Sequence, residues 1–196
     1  MGKQNIATLI LMGGQNKRMN GEHKAFLTLN QKTFLDAIVE QLSSFSKIYL
    51  SVNDKNKFSY LTLPLIEDKF LSIGPINGIY SALKIVPEDY LFVTACDMPF
   101  MNAEFAKYMA SHLHSDAACF ALTNEEGFFF TMGAIYSKAC LPYIEEMLQN
   151  KCYSLQQLIK KSPSQRMALS NTPFSKKVLV NINTPEDYHL YSTQIE

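Results

Sequence analysis

The chain has 196 residues, 47% hydrophobic and 18% charged, a composition that suits one globular domain and is too apolar for a disordered chain. Lys plus Arg and Asp plus Glu each total 18, so the formal charge is zero and the broad basic field of a nucleic-acid-binding protein is missing. No apolar stretch is long enough to span a bilayer, and Cys96, Cys119, Cys140 and Cys152 form no CxxC pair. A cytoplasmic protein with a small anionic ligand, and with no membrane or nucleic-acid partner, is expected.

The first segment, Ile6-Ala7-Thr8-Leu9-Ile10-Leu11-Met12, reads as a strand buried on both faces and ends in Gly13-Gly14. Residues 33–45 place Phe34, Leu35, Ile38, Val39 and Leu42 on one helical face, with Thr33 as cap. Residues 48–52 read as a second buried strand ending at Asn53, and 63–66 as a short edge strand. Gly74-Pro75 opens a helix whose face carries Ile76, Ile79, Leu83 and Val86. A third strand, 90–95, stops at Cys96-Asp97-Met98-Pro99, and a helix over 102–114 follows.

Beyond it, strands are expected at 116–122 and 128–136, helices at 141–148 and 154–159, and a strand at 178–181. Thr184-Pro185-Glu186-Asp187 opens the final helix, with its cap and first-turn acids in place. This alternation predicts a mostly parallel α/β sandwich. Right-handed crossovers would set the strand ends at Gly13, Asn53 and Asp97 along one rim.

An open parallel sheet binds its ligand beyond the carboxyl ends of its strands, so Gly13-Gly14 marks a candidate phosphate site with Arg18 and Lys24 in reach. It is neither a Walker loop nor a dinucleotide fingerprint, since Lys24 stands ten residues after Gly14. A plain glycine turn with solvated cations is the competing account. Asp97 suits a Mg²⁺ ligand, because Mg²⁺ takes one or two protein oxygens and keeps its waters, but it equally suits a turn or cap. Asn53 and Asp68 fit base or ribose contacts and are also common turn residues. His23, His112, His114 and His189 have no zinc spacing, no serine lies in a GxSxG elbow, and Phe128-Phe129-Phe130 reads as core strand or a sheet-facing cluster rather than a stacking platform.

Taken in order, Leu11-Met12-Gly13-Gly14 with Arg18-Met19 and Lys24, Asn53, Ile66-Glu67-Asp68, residues 74–79 from Gly74-Pro75, Cys96-Asp97-Met98-Pro99 and residues 181–187 resemble the molybdenum cofactor guanylyltransferase family, of the MobA type. The resemblance spans nearly the whole chain. It implies an α/β three-layer sandwich with a mostly parallel, Rossmann-like sheet, a nucleotide-diphospho-sugar transferase type of fold, in a single domain over 1–196, with a nucleotide-binding half near 1–100 and an acceptor-binding half near 101–196. It further implies transfer of GMP from GTP to molybdopterin-bound molybdenum cofactor with loss of pyrophosphate, and transient contact with proteins that deliver or receive the cofactor.

Carried across, Leu11, Met12, Gly13, Lys24, Asn53, Asp68 and Asp97 would bind GTP, and Asp97 would hold Mg²⁺. Arg18, Lys24 and Asp97 would be catalytic. Gly74, Pro75, Gly78, Asn181 and Asn183 would face the acceptor. Met12 stands where the family usually has Ala, Asn20 where Gly is common, and Phe128-Phe129-Phe130 replaces a polar pair. A cytidylyltransferase or sugar-phosphate nucleotidyltransferase on the same fold, and a non-catalytic nucleotide-binding module, are the competing functions.

Overall fold

The computed structural model describes residues 5–13, 24–29, 31–70 and 73–192. Strand β1 (Ile6–Leu11) alternates its side chains between two separate cores, because successive residues of a strand point to opposite faces. Ala7, Leu9 and Leu11 enter one core, and Ile10 and Met12 the other. That double burial explains the uninterrupted apolar run and places β1 inside the sheet.

A two-stranded hairpin, β2 (Thr28–Leu29) and β3 (Lys32–Thr33), turns through Gln31 in a left-handed conformation, φ 67°, and leads into helix α1 (Phe34–Leu42). Thr33 caps α1 by accepting the Asp36 amide at 3.0 Å. Strand β4 (Ile48–Val52) and the short strand β5 (Leu65–Glu67) follow, then helix α2 (Pro75–Ile85) and strand β6 (Tyr90–Ala95). Helix α3 (Ala103–His112) precedes strands β7 (Cys119–Thr123) and β8 (Ala134–Ser137). Helices α4 (Leu141–Gln149) and α5 (Leu155–Lys161), strand β9 (Ser164–Ala168) and helix α6 (Pro185–Ser192) complete the order.

The described strands form a seven-stranded sheet in the order β5-β4-β1-β6-β8-β7-β9. Pairings β5-β4, β4-β1, β1-β6 and β7-β9 are parallel, while β8 runs antiparallel to both β6 and β7. Helices α2, α4 and α5 cover one face through Ile76, Leu83, Ile144, Met147, Leu155 and Leu158. Helices α1 and α3 cover the other through Leu35, Ile38, Leu42, Phe105 and Met109. The three-layer, mostly parallel expectation matches this architecture.

Three expectations change. The apolar run at 178–181 is not a strand: Lys176–Leu179 forms a 3₁₀ turn, and Val178 and Leu179 are buried against the α3 side of the sheet. The strand expected over 128–136 contracts to β8, because Gly133 adopts φ 68° and breaks the extended path. Only an isolated bridge joins Thr123 to Phe129, and Phe128 is 60% exposed, so the Phe128-Phe129-Phe130 run is not a continuous core strand. Strand β9, with the sequence Ser-Gln-Arg-Met-Ala, lacked the apolar signature of a strand, as an edge strand can. It is held by parallel pairing to β7 and by the Arg166 guanidinium 5.2 Å from the Phe129 ring centroid.

Helix α2 approaches the sheet so closely that only glycine fits at position 78. A Cβ there would lie 2.3 Å from Ser51 Oγ and 2.7 Å from Leu11 Cδ2. Gly78→Ala is therefore expected to cost about 1–3 kcal/mol by overpacking, read as a lowered midpoint in urea unfolding with an unchanged m-value.

Candidate nucleotide site

The parallel register sets the site. Leu11 lies opposite Ser51 on one side and Ala95 on the other, and Val52 lies opposite Glu67. The residues that follow, Met12 and Gly13, Asn53, Asp68, and Cys96 and Asp97, therefore leave the sheet side by side on one rim. The chain enters α2 from the same rim through Gly74, whose φ of 83° favours glycine.

Backbone bonding divides the opening motif. The Met12 amide donates to Ser51 O at 2.9 Å and Leu11 O accepts the Cys96 amide at 3.1 Å, so both residues remain tied into the sheet ladder. Gly13 is exposed, and a Cβ on it would stand 3.9 Å from Asp68 Oδ2. Gly13 and Asp68 thus face each other across the end of the sheet. Gly14 and Arg18 lie outside the described residues.

Asp68 accepts a hydrogen bond from Ser51 Oγ at 2.7 Å. Ser51 is 2% exposed and is the polar member of the otherwise apolar strand β4. A hydroxyl inside a strand buried on both faces needs a partner, and that was the available signal for a residue the sequence reading passed over. Burial pushes the Asp68 carboxyl above its ordinary range, the Ser51 hydroxyl opposes that shift, and Glu67 adds to it. The loop after Asp68 is pinned to α2. Ser81 Oγ accepts the Lys69 amide at 2.9 Å, and the Asn77 side chain both accepts from the Phe70 amide and donates to its carbonyl. Asn53 is exposed on the rim beside this loop.

Lys24 and Asp97 form the charged centre. Lys24 Nζ lies 3.3 Å from Asp97 Oδ2, with both side chains mostly buried at 20% and 15% exposure. Asp97 Oδ1 is buried and has no hydrogen-bond partner in the described structure. Desolvation raises the Asp97 carboxyl, and Lys24 pulls it back. A buried carboxylate oxygen with no donor is costly, and a hard cation is a partner that would relieve it. No group of three His, Cys, Asp or Glu side chains clusters among the described residues. A single carboxylate matches the sparse protein ligation of Mg²⁺ better than a caged transition metal. Burial, reinforced by Asp97, lifts the neighbouring Cys96 thiol to about 12, so it stays protonated and offers no nucleophile.

The residues expected to face an acceptor separate. Gly74, Pro75 and Asn181 are exposed. Gly78 is buried beneath Ser51 and Leu11, where its role is close packing. Asn183 turns toward Lys24: its Oδ1 accepts from Lys24 Nζ at 2.5 Å. The C-terminal segment is also tied to the metal-ligand candidate through Ile182 N, which donates to Asp97 O at 2.8 Å. No helix among the described residues is long and apolar enough to cross a membrane.

Residues 8–169 match the model of the MobA-like NTP transferase domain. A probable molybdenum cofactor guanylyltransferase of Clostridium perfringens is 31% identical over 186 residues, covering 91% of this chain and 92% of that protein. A molybdenum cofactor guanylyltransferase of Syntrophotalea carbinolica is 30% identical, covering 96% and 91%. The crystal structure of molybdopterin-guanine dinucleotide biosynthesis protein A from Archaeoglobus fulgidus superposes with a TM-score of 0.84 at 19% identity, over 96% of this chain and 97% of that one, a likeness of fold. With its parallel sheet, its rim of strand ends and these relatives, the chain belongs to the MobA-like NTP transferase family and is a nucleotidyltransferase.

Proposed function

We propose that this nucleotidyltransferase moves GMP from GTP to a terminal phosphate of the molybdopterin cofactor, with pyrophosphate as the leaving group. The relatives named above carry that activity in their names and match more than nine-tenths of the chain. The observation that carries the chemistry is Asp97, with one carboxylate oxygen on Lys24 and the other buried with no partner among the described residues. The cytoplasm is the proposed compartment, in keeping with four free thiols.

In this reaction a phosphate oxygen of the acceptor forms a bond to the α-phosphorus of GTP. The bond from that phosphorus to the bridging oxygen breaks, and its electron pair leaves with pyrophosphate. The nucleophile arrives ionised, so alignment and charge neutralisation carry the rate without a general base. Lys24 would set its ammonium against the charge that accumulates on the departing phosphates, a task that the resemblance also gives to Arg18. Asp97 would hold Mg²⁺, which when bound supplies further positive charge to the phosphate oxygens. The backbone at Leu11, Met12 and Gly13 and the side chains of Asn53 and Asp68 would hold the nucleoside.

Mass spectrometry of the product formed from GTP and molybdopterin cofactor tests the reading. A guanine dinucleotide product with equimolar pyrophosphate is expected. Equal or preferred binding of CTP with Mg²⁺ would sink the choice of guanine.

Asp97→Asn removes the proposed metal ligand while conserving shape. Turnover should fall at least about 100-fold, the scale seen when one group that stabilises transferred charge is removed. The melting temperature should stay close to that of the parent, because the lost attraction to Lys24 is offset by relief from burying a charge.

Asp68 has the opposite profile from most native carboxylates. Its folded pKa is raised above the ordinary value of 3.8, so the folded state holds the proton more tightly and stability falls as pH rises from about 3.8 through the folded value. Asp68→Asn keeps an acceptor for Ser51 without the charge. The variant should melt higher than wild type at pH 7, lose that advantage as the pH drops below 4, and bind GTP more weakly. Thermal scans across this range check the sign.

A further inference from the structure

We infer that Asn183 is a positioning residue for the nucleotide donor: it fixes the Lys24 ammonium before the triphosphate arrives, so the C-terminal segment acts on donor binding as well as on any acceptor. The inference rests on the reading of Lys24 as a triphosphate-binding group.

A lysine side chain is long and flexible, with three donors on its ammonium and a large rotamer entropy to lose on ordering. Lys24 is nevertheless held at two points, by Asn183 Oδ1 at 2.5 Å and by Asp97 Oδ2 at 3.3 Å. Among the described residues those two bonds leave a third donor direction for a phosphate oxygen. Asp97 cannot serve as the permanent anchor, because its carboxylate is the group proposed to bind a cation, and a cation there competes with the ammonium for the same charge. The amide oxygen of Asn183 is neutral, so its hold on Lys24 does not cancel the positive charge that a triphosphate needs.

Asn183 is itself held on a rigid base. Its backbone amide donates to Asp187 Oδ2 at 2.9 Å, the Thr184 amide donates to the same oxygen at 3.0 Å, and Asp187 N donates back to Thr184 Oγ1 at 3.1 Å. This reciprocal cap fixes the start of α6. Ile182, 1% exposed, packs with Phe34 in a small core that includes Leu27, Tyr188 and Tyr191. Tyr188 also donates to the Thr28 carbonyl. The 3₁₀ turn Lys24–Phe26 and the hairpin that follows it are thus joined to α6 and the segment before it. Ordering Lys24 in advance removes part of the entropic cost of binding the donor.

A double-mutant cycle tests this in the intact chain without any acceptor present. Wild type, Asn183→Ala, Lys24→Met and the double variant are titrated with each of the four ribonucleoside triphosphates in Mg²⁺, and the tightest ligand is used throughout. Asn183→Ala should weaken binding about three- to tenfold, the scale of immobilising one rotamer-rich side chain, and should weaken it no further in the Lys24→Met background. Asn183→Ser should repeat the loss, and both variants should melt within a few degrees of wild type.

Unchanged nucleotide affinity in Asn183→Ala, with an effect confined to the KM of the acceptor, would overturn the inference and leave the functional reading standing. Losses that multiply with Lys24→Met would also overturn it, as would a fall in melting temperature large enough to account for the weakened binding. Wild-type protein that binds none of the four nucleotides would overturn both readings.

Discussion

Parallel pairing of β1 with β4 and β6 is the constraint on which the site depends. In a parallel sheet the strands run in one direction, so their carboxyl ends collect on one rim and their connections return across the faces. Leu11, Ser51 and Ala95 are level with one another, and the next residues of each strand are delivered to the same place. Gly13, Asn53, Asp68 and Asp97 need no individual steering. A one-residue slip of β1 would exchange its two apolar faces between two cores of different shape, so packing holds the register that brings these groups together.

Close packing carries the constraint into the chemistry. Gly78 lets α2 settle onto Leu11 and Ser51, and Ser51 in turn bonds Asp68. Asn77 and Ser81, on the same helix, fasten the loop that follows Asp68. Two carboxylates therefore stand at the rim in surroundings that disfavour their charge, Asp68 beside the Ser51 hydroxyl and Asp97 beside Lys24. Groups held at such a cost have more to gain from a ligand than from the free protein, a pattern common where binding or catalysis takes place.

The C-terminal segment completes what the first half of the sheet leaves open. Its contribution comes through two bonds, Ile182 N to Asp97 O and Asn183 Oδ1 to Lys24 Nζ, across 85 and 159 residues of chain. Residues from the two ends of the chain thus meet at one place on the rim.

Much of the fold was legible from local pattern. The apolar run into Gly13, the capped helix after Thr33, the Gly74-Pro75 helix start and the strand into Asp97 follow from side-chain periodicity and backbone preference, which act within a few residues. The ordered set of rim motifs likewise pointed to the family. Strand β9 was hidden because its partner, β7, lies about forty residues upstream, and Val178 with Leu179 resembled a strand because burial by a 3₁₀ turn uses the same apolar residues. The sequence by itself determined the layered α/β fold and the glycine and carboxylates that stand at its strand ends, since periodicity and spacing act within a few residues. Only the tertiary structure decided that Ser51 supports Asp68, that Gly78 packs beneath the site, and that Asn183 belongs to Lys24, because hydrogen bonds and steric fit depend on distances that chain separation does not encode.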